Sequence, residues 1–126
     1  MRHARHYTLE EATSELPWVV ETIQRMRAAR DQLLDEDVRS ALGEAAPGNG
    51  GGEPGTAVSE AFLELRENAA ALRERDVVLR DLDRGLVDFP SLRDGDEVYL
   101  CWVESEEDEI AYWHDLDAGY AGRQPL

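Results

Sequence analysis

The chain contains no lysine; all thirteen of its basic residues are arginine. It has a single cysteine, Cys101, which excludes an intramolecular disulfide framework and suits a reducing cytoplasm. No apolar run approaches the ~20 residues of a membrane span. The basic opening Met1-Arg2-His3 lacks the apolar stretch of a secretory signal. Also missing are a Walker loop, a dinucleotide fingerprint, a paired-cysteine motif and a serine nucleophile elbow, which removes most familiar nucleotide and hydrolase chemistries. Positive charge is scarce as well. A formal net charge of −15 repels phosphates and anionic headgroups, so neither nucleic acid nor membrane is expected as a partner.

At 126 residues the chain is long enough for one domain with its own core. Thr8-Leu9-Glu10-Glu11 has the capping-box pattern that opens a helix, and Pro17 predicts that this helix stops at about Glu15. A second helix then begins near Pro17, with Val19, Ile23, Met26 and Leu33 on its seam and Arg30 at the seam position before Leu33. It is expected to fray past Asp37. Residues 43–55, rich in Gly with two Pro, read as a flexible connector. Thr56 can cap a further helix whose seam is Val58, Phe62, Leu65, Ala69 and Leu72. Folding the long helices back on each other gives a helical hairpin over about residues 8–75.

From residue 77 the preference turns to strand. Val77–Arg80 and Leu86–Phe89 are short strands, the second closed by Pro90; Arg93–Asp96 is a turn, and Glu97–Val103 alternates. An acidic stretch follows, with seven carboxylates and no arginine between Glu104 and Asp117, and it reads as a solvated loop. Ile110–His114 is the return strand of a hairpin, and residues 115–126 form a structured tail. The fold class is therefore α+β: an antiparallel long-helix hairpin beside a small antiparallel β-sheet. If Val103 stands opposite Ile110, then Tyr99, Cys101, Tyr112 and His114 share one face of the hairpin, and Leu100, Trp102 and Trp113 share the other. A slip of one residue breaks that grouping.

Most of the aromatic and reactive residues lie in this β-rich part: two of three Trp, three of four Tyr and the only Cys. Such side chains combine packing surface with a polar or reactive handle, so the specific business of the protein is expected there. The blocks Tyr7-Thr8-Leu9-Glu10-Glu11-Ala12, Gly85-Leu86-Val87-Asp88-Phe89-Pro90, Cys101-Trp102, Trp113-His114 and Gly119-Tyr120-Ala121-Gly122-Arg123 occur in order. In these the chain resembles the bacterial domain-of-unknown-function family 2203, over roughly residues 6–126 except the Gly-rich connector. The resemblance implies a single bacterial cytoplasmic domain. It brings no catalytic residues with it.

Asp88, Cys101 and His114 are three metal-ligand types on strands or strand ends. Carboxylate, thiolate and imidazole together suit a divalent metal such as zinc and leave one coordination position open. The structural alternative is a buried cysteine acting as a small hydrophobe and a histidine bonded to a neighbour. Without metal, Cys101 and His114 could form a thiolate–base pair, with Asp88 or Asp117 orienting the ring. Asp88, if buried, needs a partner, and Arg123 is the expected one. The functional version instead leaves Arg123 to a small anion, with Gly119 and Gly122 allowing close backbone approach. His3 and His6 precede the first cap and are expected to be disordered.

Two functions follow from these readings. The favoured one is a noncatalytic interaction or regulatory module, using its amphipathic helices for a protein partner or for self-association as a homodimer. The other is a metal- or small-anion-binding protein, with scope for enzymatic activity, whose pocket lies between sheet and tail and uses Asp88, Cys101, His114 and Arg123. What separates them is whether these four side chains converge on a cavity.

Overall fold

The computed structural model describes residues 1–41 and 53–126, and side chains for residues 1–35 and 58–126. Two antiparallel helices, α1 (Leu9–Ala41) and α2 (Glu53–Glu74), precede a five-stranded antiparallel sheet. Its strands β1 (Val78–Asp81), β2 (Leu86–Arg93), β3 (Asp96–Val103), β4 (Tyr112–Asp115) and β5 (Gln124–Pro125) lie in sequence order.

The α1 N-terminus forms as its sequence dictates. Glu11 N–H donates to Thr8 Oγ1 at 3.1 Å and Thr8 N–H to a Glu11 carboxylate oxygen at 3.0 Å, a reciprocal capping box. The break expected at Pro17 does not occur; α1 is continuous through it to Ala41. Pro17 is exposed, so the Thr13 carbonyl left without its helical donor lies toward the outer face. Burial of Ala12 and Leu16 before it, and of Val19, Ile23 and Met26 after it, outweighs the local cost. On α2 the start lies at Glu53, three residues before Thr56, with Pro54 in the first turn where a missing N–H is tolerated. Of the Gly-rich connector read over 43–55, residues 43–52 lie outside the described residues, and residues 53–55 belong to α2. The α2 seam also differs from its sequence pattern. Phe62 is 58% exposed, and Ala61 is buried in its stead, because only a small side chain lets α2 approach α1 there.

One face of the sheet packs on the helices. Val87, Phe89, Leu100 and Trp102 join Leu16, Val19, Ile23, Met26 and Leu72 in a single core, with Tyr7 edge-on to Phe89. Strand β2 does not stop at Pro90 but runs on to Arg93. β1 reaches only as far as Asp88, so beyond it β2 has an open edge, and the missing Pro90 N–H falls there. The Pro90 carbonyl on that edge accepts the Tyr7 N–H at 2.7 Å, and Ser91 Oγ donates to the Tyr7 carbonyl at 2.6 Å. The turn at Asp94-Gly95 has positive φ at both residues (52° and 85°), matching the twist of the β2–β3 hairpin.

The N-terminal segment is ordered, contrary to expectation. Glu97 accepts the backbone N–H groups of Arg2 (2.7 Å) and His3 (3.0 Å) and the His6 ring at 2.6 Å. Desolvation pushes the Glu97 carboxyl upward, but these hydrogen bonds outweigh it and hold the group at about 2. A carboxyl depressed in the folded state stabilises above its unfolded value and loses that contribution as pH falls toward the folded one. The segment is therefore expected to detach between about pH 4.5 and 2, read as rising amide exchange at Arg2 and His3. Glu97→Gln should remove the pH step; a step that persists would refute this clasp.

Candidate functional site: a buried Asp–Cys–His cluster

The face of the sheet turned away from the helices carries the site. Pairing of Cys101 with Tyr112 and of Tyr99 with His114 is the register that gathers Tyr99, Cys101, Tyr112 and His114 on this face. β2 adds Asp88 directly opposite Cys101. Neighbouring strands thus supply the three ligand-type side chains, and their donor atoms lie within 4.8 Å of one another. All three residues are about 1% exposed.

The polar contacts define how each group is held. His114 Nε2 lies 3.0 Å from Asp88 Oδ1, and His114 Nδ1 lies 2.7 Å from the Asp115 carbonyl oxygen. A carbonyl only accepts, so Nδ1 carries a proton and Nε2 is the nitrogen turned toward Asp88 and the cluster. Two acceptors thus face one ring. The arrangement is satisfied either by a proton between Nε2 and Asp88 or by a cation in its place. A histidine tied by Nδ1–H to a backbone carbonyl is the arrangement that orients Nε2 onto a metal.

Asp88 does not pair with Arg123. Its Oδ2 accepts from Arg80 Nε at 2.9 Å, a partner that the residue pattern did not single out. The ladder shifts between Leu79 and Asp81, so Arg80 sits in a bulge, and its guanidinium reaches Asp88 and lies over the Tyr99 ring. Arg123 instead donates to Glu106 at 2.5 Å and stacks over Tyr112 and Tyr120, which pins the tail across the sheet. Its Nε is buried without a partner among the described residues.

Burial pushes the Cys101 thiol up to about 12, reinforced by the Asp88 carboxylate and only partly countered by Arg123. Without a metal it stays a thiol at neutral pH. Both ring nitrogens of His114 are engaged elsewhere, and Asp117 is exposed and paired with Arg2, so neither stands as the base for Cys101. The thiolate–base pair is not assembled.

A cavity of about 250 Å³ opens beside the cluster, between sheet and tail, lined by Arg80, Leu86, Asp88, Cys101, Gly119 and Tyr120 among others. Of the residues expected to hold an anion, Asp88 and Gly119 border it, and Gly119 has φ +69° with open space where a Cβ would stand. Gly122 serves packing instead: a Cβ there would lie 2.7 Å from the Ala118 Cβ. His3, ordered, extends the network by its Nε2 contact of 2.6 Å to the Tyr99 hydroxyl. Tyr99 in turn lies against His114, with ring centroids 5.5 Å apart.

A protein-family model described as "Uncharacterized conserved protein (DUF2203)" matches residues 5–126, nearly the whole chain. The chain belongs to the DUF2203 family. No curated protein and no solved structure matches it. In this DUF2203 protein, the match spans the capping box, Asp88, the Cys101-Trp102 and Trp113-His114 pairs and the tail, so the assembled cluster lies wholly within the family region. Among the described residues no helix is long and apolar enough to cross a membrane.

Proposed function

We propose that this protein binds a divalent metal ion such as zinc through Asp88, Cys101 and His114. The observation that carries the reading is the convergence of three buried donor atoms of different type, with His114 Nδ1 tied to a carbonyl and Nε2 turned toward Asp88 and the cluster. A lone buried Cys or a histidine with one hydrogen bond would be accounted for by packing. The combination of all three on one patch, with two acceptors facing a single imidazole, favours a cation. Arg80 then holds the second oxygen of Asp88, which orients the ligand oxygen. Three protein ligands leave a coordination position open, the arrangement of sites that bind or activate a further molecule. A thiolate ligand requires reduced cysteine, consistent with a cytoplasmic setting in a bacterium.

The interaction reading retains one specific support. Phe62 and Leu63 on α2 and Leu34 on α1 are each more than half exposed, and they give the helical end an apolar surface suited to a protein partner or a second copy. The net charge of −15 favours a basic protein partner over nucleic acid or an anionic membrane.

Metal content settles the first reading. Protein purified without a histidine tag or chelator is expected to carry close to one divalent ion per chain by mass spectrometry. Cys101→Ala and His114→Ala are expected to lose it while keeping the native circular dichroism. Wild-type protein that neither retains metal nor takes up zinc stoichiometrically would overturn the proposal.

A further inference from the structure

The cluster has a built opening. Asp88 and Cys101 form part of the wall of the cavity between sheet and tail, and His114 stands behind them, away from its lining. An ion held by the three therefore has its fourth position on the cavity side. At about 250 Å³ the cavity lies below the ~300 Å³ at which drug-sized clefts begin, so its occupant is small.

The charges around it select the kind of occupant. Arg80 lines the cavity and uses Nε on Asp88, and its two terminal nitrogens have no hydrogen-bond partner among the described residues. Its side chain is 42% exposed, so these donors are reachable from the opening. Arg84 and Arg123 lie over the ring of Tyr120, which also lines the cavity. Of these arginines, Arg80 is the one that lines the cavity, and Arg123 is already paired with Glu106. The acid at the rim, Asp117, is paired with Arg2 at 3.1 Å. Leu86 and Leu116 give the cavity an apolar side.

We infer that the cavity binds a small carboxylate, one oxygen on the open position of the metal and the other on the terminal nitrogens of Arg80, with a short carbon body against Leu86 and Leu116. This inference rests on the metal reading above. Arg80 is the residue that distinguishes it, because its planar fork can hold Asp88 through Nε and a second carboxylate through the outer nitrogens at once.

Cobalt-loaded protein tests this, since the visible bands of Co(II) respond to a change at any coordination position. Titrating acetate at fixed ionic strength, with perchlorate as control, is expected to shift the bands of the wild-type protein saturably. Arg80→Gln keeps an amide donor for Asp88; it should retain cobalt and raise the acetate dissociation constant on the order of tenfold or more. Cobalt-loaded wild-type protein with bands unmoved by acetate overturns the carboxylate site and leaves the metal site standing. Equal acetate affinity in wild type and Arg80→Gln overturns it as well. Failure of wild-type protein to take up cobalt at all overturns both.

Discussion

Asp88→Ala is expected to destabilise the metal-free domain by about 3 kcal/mol, the lower part of the ~3–5 kcal/mol range for removing one partner from a buried ionic group. The carboxylate is about 1% exposed and accepts from His114 and Arg80 together. Without it, His114 Nε2, on a ring about 1% exposed, loses its hydrogen-bond partner, while Arg80, already part-exposed, can turn outward. Arg80's freedom to turn outward is why the cost sits low in the range rather than at its top. For a domain of this size that is a fall in Tm of roughly 10 °C. Asp88→Asn, which keeps the shape and one acceptor, should cost less than the alanine variant. Urea unfolding with chelator present measures all of this. The decisive comparison is Asp88→Ala with and without His114→Gln: the two changes should be strongly non-additive, because the second removes the group the first leaves stranded. Simple additivity, or a cost for Asp88→Ala below about 1 kcal/mol, would show that the pair is not held as described.

The largest loss of stability is expected from Trp102→Ala, about 3–5 kcal/mol. Trp102 is 1% exposed and belongs to the core between sheet and helices. Its indole N–H donates to the Glu107 carbonyl at 2.8 Å, and Glu107 sits at φ 63°, a backbone region that non-glycine residues rarely adopt. The side chain thus fills the core and also holds the turn that leads from β3 to β4. Truncation removes both contributions. Trp102→Phe keeps most of the volume and removes the hydrogen bond, so it should cost about 1–2 kcal/mol and loosen the turn at 104–109 selectively. Amide exchange confined to that turn in the Phe variant, against a shift of the whole urea midpoint in the Ala variant, separates the two effects. A Phe variant as damaging as Ala would place the main contribution in the hydrogen bond instead.

Local signals in the sequence carried far where the physics is local. The Thr8–Glu11 capping box, the turn at Asp94-Gly95 and the alternation of β3 each depend on a few adjacent residues, and each forms as read. The face shared by Tyr99, Cys101, Tyr112 and His114 was legible too, because alternation has period two and the bulky apolar residues demand one side. That was enough to name three members of the cluster. It was not enough to find Arg80, whose reach to Asp88 depends on strand pairing across a bulge. Nor could it exclude Arg123, which has the right chemistry for Asp88 but is carried by the tail to Glu106.

What the sequence by itself determined is the α+β class, the succession of a helical part and a strand-rich part, and the side of the sheet on which the reactive residues fall. These follow from periodicity, turn chemistry and charge, which act over a few residues. Only the tertiary structure decided that α1 runs through Pro17, that Ala61 rather than Phe62 meets α1, and which partner each buried charge has. Those outcomes compare contacts between distant segments, where burial on both sides of Pro17 outweighs a local helix penalty and the approach of two backbones chooses the smaller side chain. A buried carboxylate takes whichever guanidinium the fold delivers to it, and in this chain of thirteen arginines that choice is made by strand pairing.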